Sequence, residues 1–122
     1  MNNKVFINKS ELIEQMYVGD QTGDSVDQTL VKRTNPLIAQ LKQRRKRILV
    51  LINLTKIGTP NASARLVAVN ALKQLEYEKI AVYTDNLYIK YVAGFVIKAS
   101  GRFNDVRTFD DRRNAIKWLN EM

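Results

Sequence analysis

The side chains that could do chemistry in this chain are few, and what is missing narrows the options first. The 122 residues contain no histidine and no cysteine. That excludes the Ser-His-Asp triad, a cysteine nucleophile, thiolate zinc sites, disulfides and the commonest metal ligand together. Catalysis would have to run on Asp, Glu, Lys or Tyr, and the only pair placed to suggest it is Asp85 with Lys56. Asp85 follows the apolar run 80–84, and Thr55 and Lys56 follow the apolar run 48–54. Ligands of open α/β sheets bind beyond the carboxyl ends of the strands, so Asp85, Thr55, Lys56 and Ser63 are candidates to converge there. Each also has a plainer reading, Asp85 as a helix cap and Asn61 or Ser63 as an N-cap. Asp20, Asp24 and Asp27 have a spacing that invites a cation, but they lack the glycine and the later glutamate of a calcium loop. Capping and a charge-complemented first turn account for Asp24 and Asp27. Neither a metal site nor a cofactor is expected, and the expectation is a protein that is not an enzyme.

The formal charge of +8 would draw the chain towards nucleic acid, anionic lipid or an acidic partner. Part of the excess is clustered at Lys42, Arg44, Arg45, Lys46 and Arg47, immediately before an apolar run. One reading is a solvated helix end, where cations complement the macrodipole. The other is a contact for nucleic acid or an anionic surface, whose binding would weaken with salt. No apolar run approaches the roughly 20 residues that a bilayer span needs. The first four residues lead into a short β-like run and not into a signal peptide. One cytoplasmic domain of 1–122 is expected.

The elements that must position these residues alternate. Val5–Ile7 and 11–19 read as two N-terminal strands. A turn over 19–25 follows, in which Asp24 or Ser25 would cap a helix running from Val26 to Gln43, kinked or restarted at Asn35-Pro36. The run Ile48–Ile52 is apolar on both faces, as a central parallel strand is. A loop is expected from Asn53 to Pro60. A helix over Ala62–Leu75, a buried strand over Ile80–Thr84, and an apolar helix over Leu87–Ala99 ended by Gly101 follow. A short strand at Val106–Phe109 and a last helix capped by Asp110 complete the chain. Strands separated by helices imply right-handed crossovers and a mostly parallel sheet.

Three segments resemble a known family. They are Glu78-Lys79-Ile80-Ala81-Val82-Tyr83-Thr84-Asp85, Asp105-Val106-Arg107-Thr108-Phe109-Asp110 and Ala115-Ile116-Lys117-Trp118-Leu119. Together they resemble the SpoIIAA-like proteins, and Ile52-Asn53-Leu54-Thr55 is similar to the central strand of the broader STAS group; the likeness covers about residues 10–122. It implies a STAS/SpoIIAA-like α/β fold with four or five strands, mostly parallel with an antiparallel N-terminal strand, flanked by about four helices. In anti-sigma antagonists of that group a serine in an Asp-Ser-Ser-Gly motif is phosphorylated. Asn61-Ala62-Ser63-Ala64 aligns Ser63 with it but departs at the aspartate and the glycine. The fold is also similar to that of the CRAL-TRIO lipid carriers. The helix 87–99, apolar over more than one stripe, offers Tyr88, Tyr91, Val92 or Phe95 to a groove or partner surface, with Ala93 and Gly94 allowing close approach. Core packing, a homodimer face and a gate for an apolar small molecule remain alternatives for that helix. The leading expectation is a non-enzymatic module that binds a protein partner or a small apolar ligand. A partner switch at Ser63 and a nucleic-acid or anionic-surface binder through 42–47 stand behind it.

Overall fold

Strands form here where consecutive apolar side chains can be buried on alternate faces. In β3 (Leu49–Pro60), Val50 and Ile52 enter one core while Leu49 and Leu51 enter another. In β4 (Lys79–Tyr83), Ile80 and Val82 are divided in the same way from Ala81 and Tyr83. Such two-sided burial belongs to inner strands covered by helices. The computed structural model describes residues 2–121. With β1 (Lys4–Ile7), β2 (Ile13–Gln21) and β5 (Val106–Phe109), the strands form one sheet in the order β1-β2-β3-β4-β5. β1 runs antiparallel to β2, and the other neighbours are parallel. The expected α/β class and strand directions are therefore observed.

The helices cover the two faces unequally. α1 (Gly23–Val26), α2 (Asn35–Gln43), α3 (Ala62–Gln74) and α4 (Leu87–Ser100) close the larger core, supplying Val26, Ile38, Leu41, Ala64, Leu72 and Ile97 among others. α5 (Arg112–Leu119) covers the opposite face with Ala115, Trp118 and Leu119 against Leu12, Leu51 and Tyr83. Arg112 ties α5 to β2 through Glu14, at 2.6 and 2.9 Å. No helix is long and apolar enough to cross a membrane among the described residues.

Four details depart from the sequence-based expectation, each for a local reason. The first helix begins earlier than Val26 and is capped by Thr22, whose side chain accepts from the Ser25 amide while the Thr22 amide donates to Ser25 Oγ. Asp24 and Ser25 are thus inside the first turn. The stretch 26–43 restarts at Asn35-Pro36 as expected, but what precedes the restart is not a regular α-helix. After α1 the chain widens into a π-helical turn, Asp27–Lys32, with Arg33 N donating to Gln28 O at 2.9 Å, and α2 restarts at Asn35. Pro36 cannot donate to the carbonyl of residue 32, and its ring crowds that carbonyl. The last helix is capped by Asp111, which accepts from Asn114 N at 2.8 Å; Asp110 instead pairs with Lys90.

The fourth departure matters most: residues 53–60 are strand and not loop. Beyond Asn53 the strand has outrun β4 and pairs only with β2, in an irregular register that joins Lys56 to Val18, Ile57 to Gly19 and Pro60 to Gln21. Gly58 permits this close approach, because a Cβ there would stand 2.3 Å from Asp20 Oδ1 and 2.9 Å from the Asp20 amide nitrogen. The same Asp20 oxygen accepts from Thr59 N at 2.8 Å. Pro60 falls at the strand's last position, where its missing N–H costs little.

Candidate functional site

The overhang of β3 past β4 leaves the sheet with a wall that α3 and α4 do not fully fill. Between them lies a cavity of about 110 Å³. Its floor is the sheet, with Ile52, Leu54 and Ile57 from β3 and Val82 from β4; its sides are Val26 and Leu30, Ala64 and Ala68 of α3, and Ile89, Val92, Ala93 and Val96 of α4. The first halves of α3 and α4 follow their strands, so the cavity lies towards the carboxyl edge of the sheet. Small residues make the room: Ala64, Ala68 and Ala93 stand where larger aliphatic side chains would close it. Polar groups reach the lining only from Tyr17, Gln21 and Arg65, and Arg65 Nη1 is held by the Pro60 carbonyl at 2.8 Å.

Gln21 and Tyr17 belong to a buried polar network that sequence reasoning missed. Asn3 Nδ2 donates to Gln21 Oε1 at 2.9 Å and to Thr29 Oγ1 at 2.8 Å, and Asn3 Oδ1 accepts from Val18 N. Gln21 Oε1 also accepts from Ser25 Oγ at 2.8 Å. On the neighbouring rung, Tyr17 OH donates to Gln15 Oε1, and Gln15 Nε2 donates to Thr34 Oγ1, each at 2.8 Å. Thr34 Oγ1 donates in turn to Thr29 O. Burial pushes the Tyr17 hydroxyl far above its ordinary range, so it stays a neutral donor. Among the described residues no buried side-chain nitrogen or oxygen lacks a partner. The network pins β1, β2 and the π-helical turn together and pairs the polar atoms that Tyr17 and Gln21 bring to the cavity wall. An unpaired Asn or Gln at these positions would have been a sequence clue only if its distant partner had been known.

The residues expected at the site are divided by the structure. Val92 lines the cavity, whereas Tyr88, Tyr91 and Phe95 are exposed on the outer face of α4. Thr55 and Lys56 are exposed on the β3 overhang, and both the amide and the hydroxyl of Thr55 bond to Asn53 Oδ1. Asp85 is exposed just after β4, and no hydrogen bond or ion pair joins it to Lys56 among the described residues. Asn86, not Asp85, caps α4 by accepting from Ile89 N at 3.1 Å. Asn61 caps α3, and the exposed Ser63 packs its hydroxyl against Gly23, where a Cβ would lie 2.1 Å from Oγ. Asp20, Asp24 and Asp27 do not meet: Asp20 serves Thr59 and Asp27 pairs with Lys32 at 3.5 Å.

The basic cluster lies at the opposite edge of the sheet, before β3, and three glutamates offset part of its charge. Lys42 pairs with Glu76 at 3.0 Å, Arg44 and Lys46 share Glu11 at 3.2 Å each, and Arg47 pairs with Glu78. Lys46, and then Arg44, hold the Glu11 carboxyl below the usual carboxylate range. Arg45, with a left-handed φ of 56°, turns the chain out of α2.

Comparisons with known proteins agree with this geometry at the level of the fold. A crystal structure of an uncharacterised protein of the DUF3478 family from Shewanella loihica PV-4, described as having a SpoIIAA-like fold, superposes with a TM-score of 0.70 over 97% of this chain and 93% of that one, at 18% identity. At that identity the likeness shows the SpoIIAA-like fold and nothing about the ligand. No curated protein matches the chain. The model of a family described as a domain of unknown function, DUF7793, matches residues 28–122, from the π-helical turn to the last helix. That match takes in β3 to β5 and α2 to α5, so the chain, whose fold is SpoIIAA-like, belongs to the DUF7793 family.

Proposed function

We propose that this domain is a non-enzymatic binding module whose ligand is a small apolar molecule held between β3, β4 and α4. The observation that carries the reading is the lining itself: an apolar space whose buried polar neighbours, Tyr17 and Gln21, are hydrogen-bonded within the protein, with Arg65 tied to the Pro60 carbonyl. Water gains little there, because it needs two to four polar partners, whereas engineered cavities of about 150 Å³ stay dry and accept benzene or xenon. The cavity as it stands takes a molecule of about that size, below the roughly 300–1,000 Å³ of most ligand pockets. A longer ligand would require α4 to move outward.

Titration of the ¹⁵N-labelled protein with toluene tests the reading. Saturable amide shifts confined to residues around Ile52, Val82 and Ala93 are expected. Linear, unsaturable shifts, or shifts spread evenly over the surface, would overturn it.

A further inference from the structure

We infer that the outer face of α4 is self-complementary and pairs with the same face of a second copy of this chain, antiparallel about a two-fold axis near the Tyr91–Val92 peptide. The inference rests on the outer surface of the helix and not on the cavity beneath it. At 100° per residue Leu87, Tyr88, Tyr91, Gly94, Phe95 and Lys98 fall within one stripe, opposite the buried Ile89, Val96 and Ser100. Leu87 is 81% exposed, Tyr91 77% and Phe95 66%. Phe103, beyond the helix end, extends the same apolar surface. Fully buried aromatic residues cover about 150–250 Å² each, so these side chains with Tyr88 present roughly 500–600 Å² per chain. Two such faces reach the ~1,000 Å² that a specific interface needs, at its weak end.

Three features match across that axis and favour a second copy over other occupants. Tyr88 and Phe95 are equally displaced from it, so each aromatic ring meets the other kind in the partner. Asp85 and Lys98 are equally displaced too, exposed, and without an ion pair among the described residues. Asp85 precedes the helix and Lys98 sits in its last turn, so antiparallel pairing brings the end of the stripe that carries each Asp85 to the end that carries the partner's Lys98. Finally, a groove lined by Tyr91, Gly94, Phe95, Lys98 and Phe103 lies on one side of the axis, and the most exposed apolar residue, Leu87, lies on the other. A Cβ at Gly94 would touch nothing within 4 Å, so the groove floor is open to a partner side chain. An isologous contact needs knob and hole on the same surface.

Sedimentation velocity of the full chain over roughly 1–500 µM tests the proposal. Reversible assembly to twice the 14.0 kDa chain mass is expected. Tyr91→Glu should abolish it while leaving the circular dichroism and thermal midpoint intact. Asp85→Lys and Lys98→Asp should each weaken it about tenfold, since each change acts twice per dimer, and the double charge swap should restore it. A chain that stays monomeric throughout the range overturns the proposal, as does a dimer indifferent to Tyr91→Glu or a double swap no better than the singles. Binding of the monomer to phosphatidylserine vesicles, lost with Tyr91→Glu, would assign the face to lipid and also overturn it.

Discussion

Filling the cavity should stabilise the protein. Ala68 lies in the middle of α3, half-buried against the core and on the cavity wall, so Ala68→Leu projects three further carbons into the space. A cavity costs about 24 cal/mol per Å³ relative to a filled interior, so the 110 Å³ space corresponds to about 2.6 kcal/mol. Ordering a leucine side chain gives back about 0.5–1 kcal/mol, and helix propensity changes little between Ala and Leu. The expected gain is about 1–2 kcal/mol, read as a higher urea midpoint at unchanged m-value and a thermal midpoint raised by about 3–10 °C. The same substitution should abolish saturable toluene binding. A loss of 1 kcal/mol or more would refute the reasoning, because it would mean that leucine is overpacked and that the space between α3 and α4 is closed in solution.

Three other outcomes follow from the packing. Gly58→Ala drives a Cβ against the Asp20 side chain and backbone, and should destabilise by about 1–3 kcal/mol in urea unfolding; a neutral result would mean that the β2–β3 overhang is not formed as described. Gln15→Leu leaves Tyr17 OH and Thr34 Oγ1 without their buried partner and should cost about 2–4 kcal/mol, measured the same way. The bidentate bond from Arg112, opposed by partial burial, depresses the Glu14 carboxyl below its ordinary value of 4.5. A carboxyl depressed in the folded state adds stability that is complete above the unfolded value and drains away as pH falls through the folded one. Stability of the parent should therefore drop more steeply below pH 4.5 than that of Glu14→Gln, and parallel curves would contradict the assignment.

The framework was legible because burial on both faces leaves a direct trace. Ile48–Ile52 and Ile80–Val82 could only be inner strands, and the Gly101 stop, with its φ of 76°, ends α4 where expected. Local chemistry misled where tertiary pairing overrode it. Thr55, Lys56, Gly58 and Pro60 look like loop residues, and only the company of β2 holds them extended. The ion pairs of the cation cluster were not legible, because Glu11, Glu76 and Glu78, which offset part of its charge, are remote in sequence or beyond the next helix. The hydrogen-bonded set of Asn3, Gln15, Gln21, Thr29 and Thr34 was illegible for the same reason. The separation of Val92 from Tyr91 was within reach, since at helical spacing Val92 shares a face with Ile89 and Val96 whereas Tyr91 shares one with Tyr88 and Phe95.

α4 is a single 14-residue helix with the cavity on one side and its aromatic stripe on the other. The two proposed equilibria would share that helix as a common wall, and would be coupled if it moved between them. If occupation of the interior shifts α4 and changes the association constant of the outer face by some factor, association must change the interior affinity by the same factor. The helix would then act as a thermodynamic transducer, and the sign of the coupling is readable from the toluene midpoint measured at low and high protein concentration.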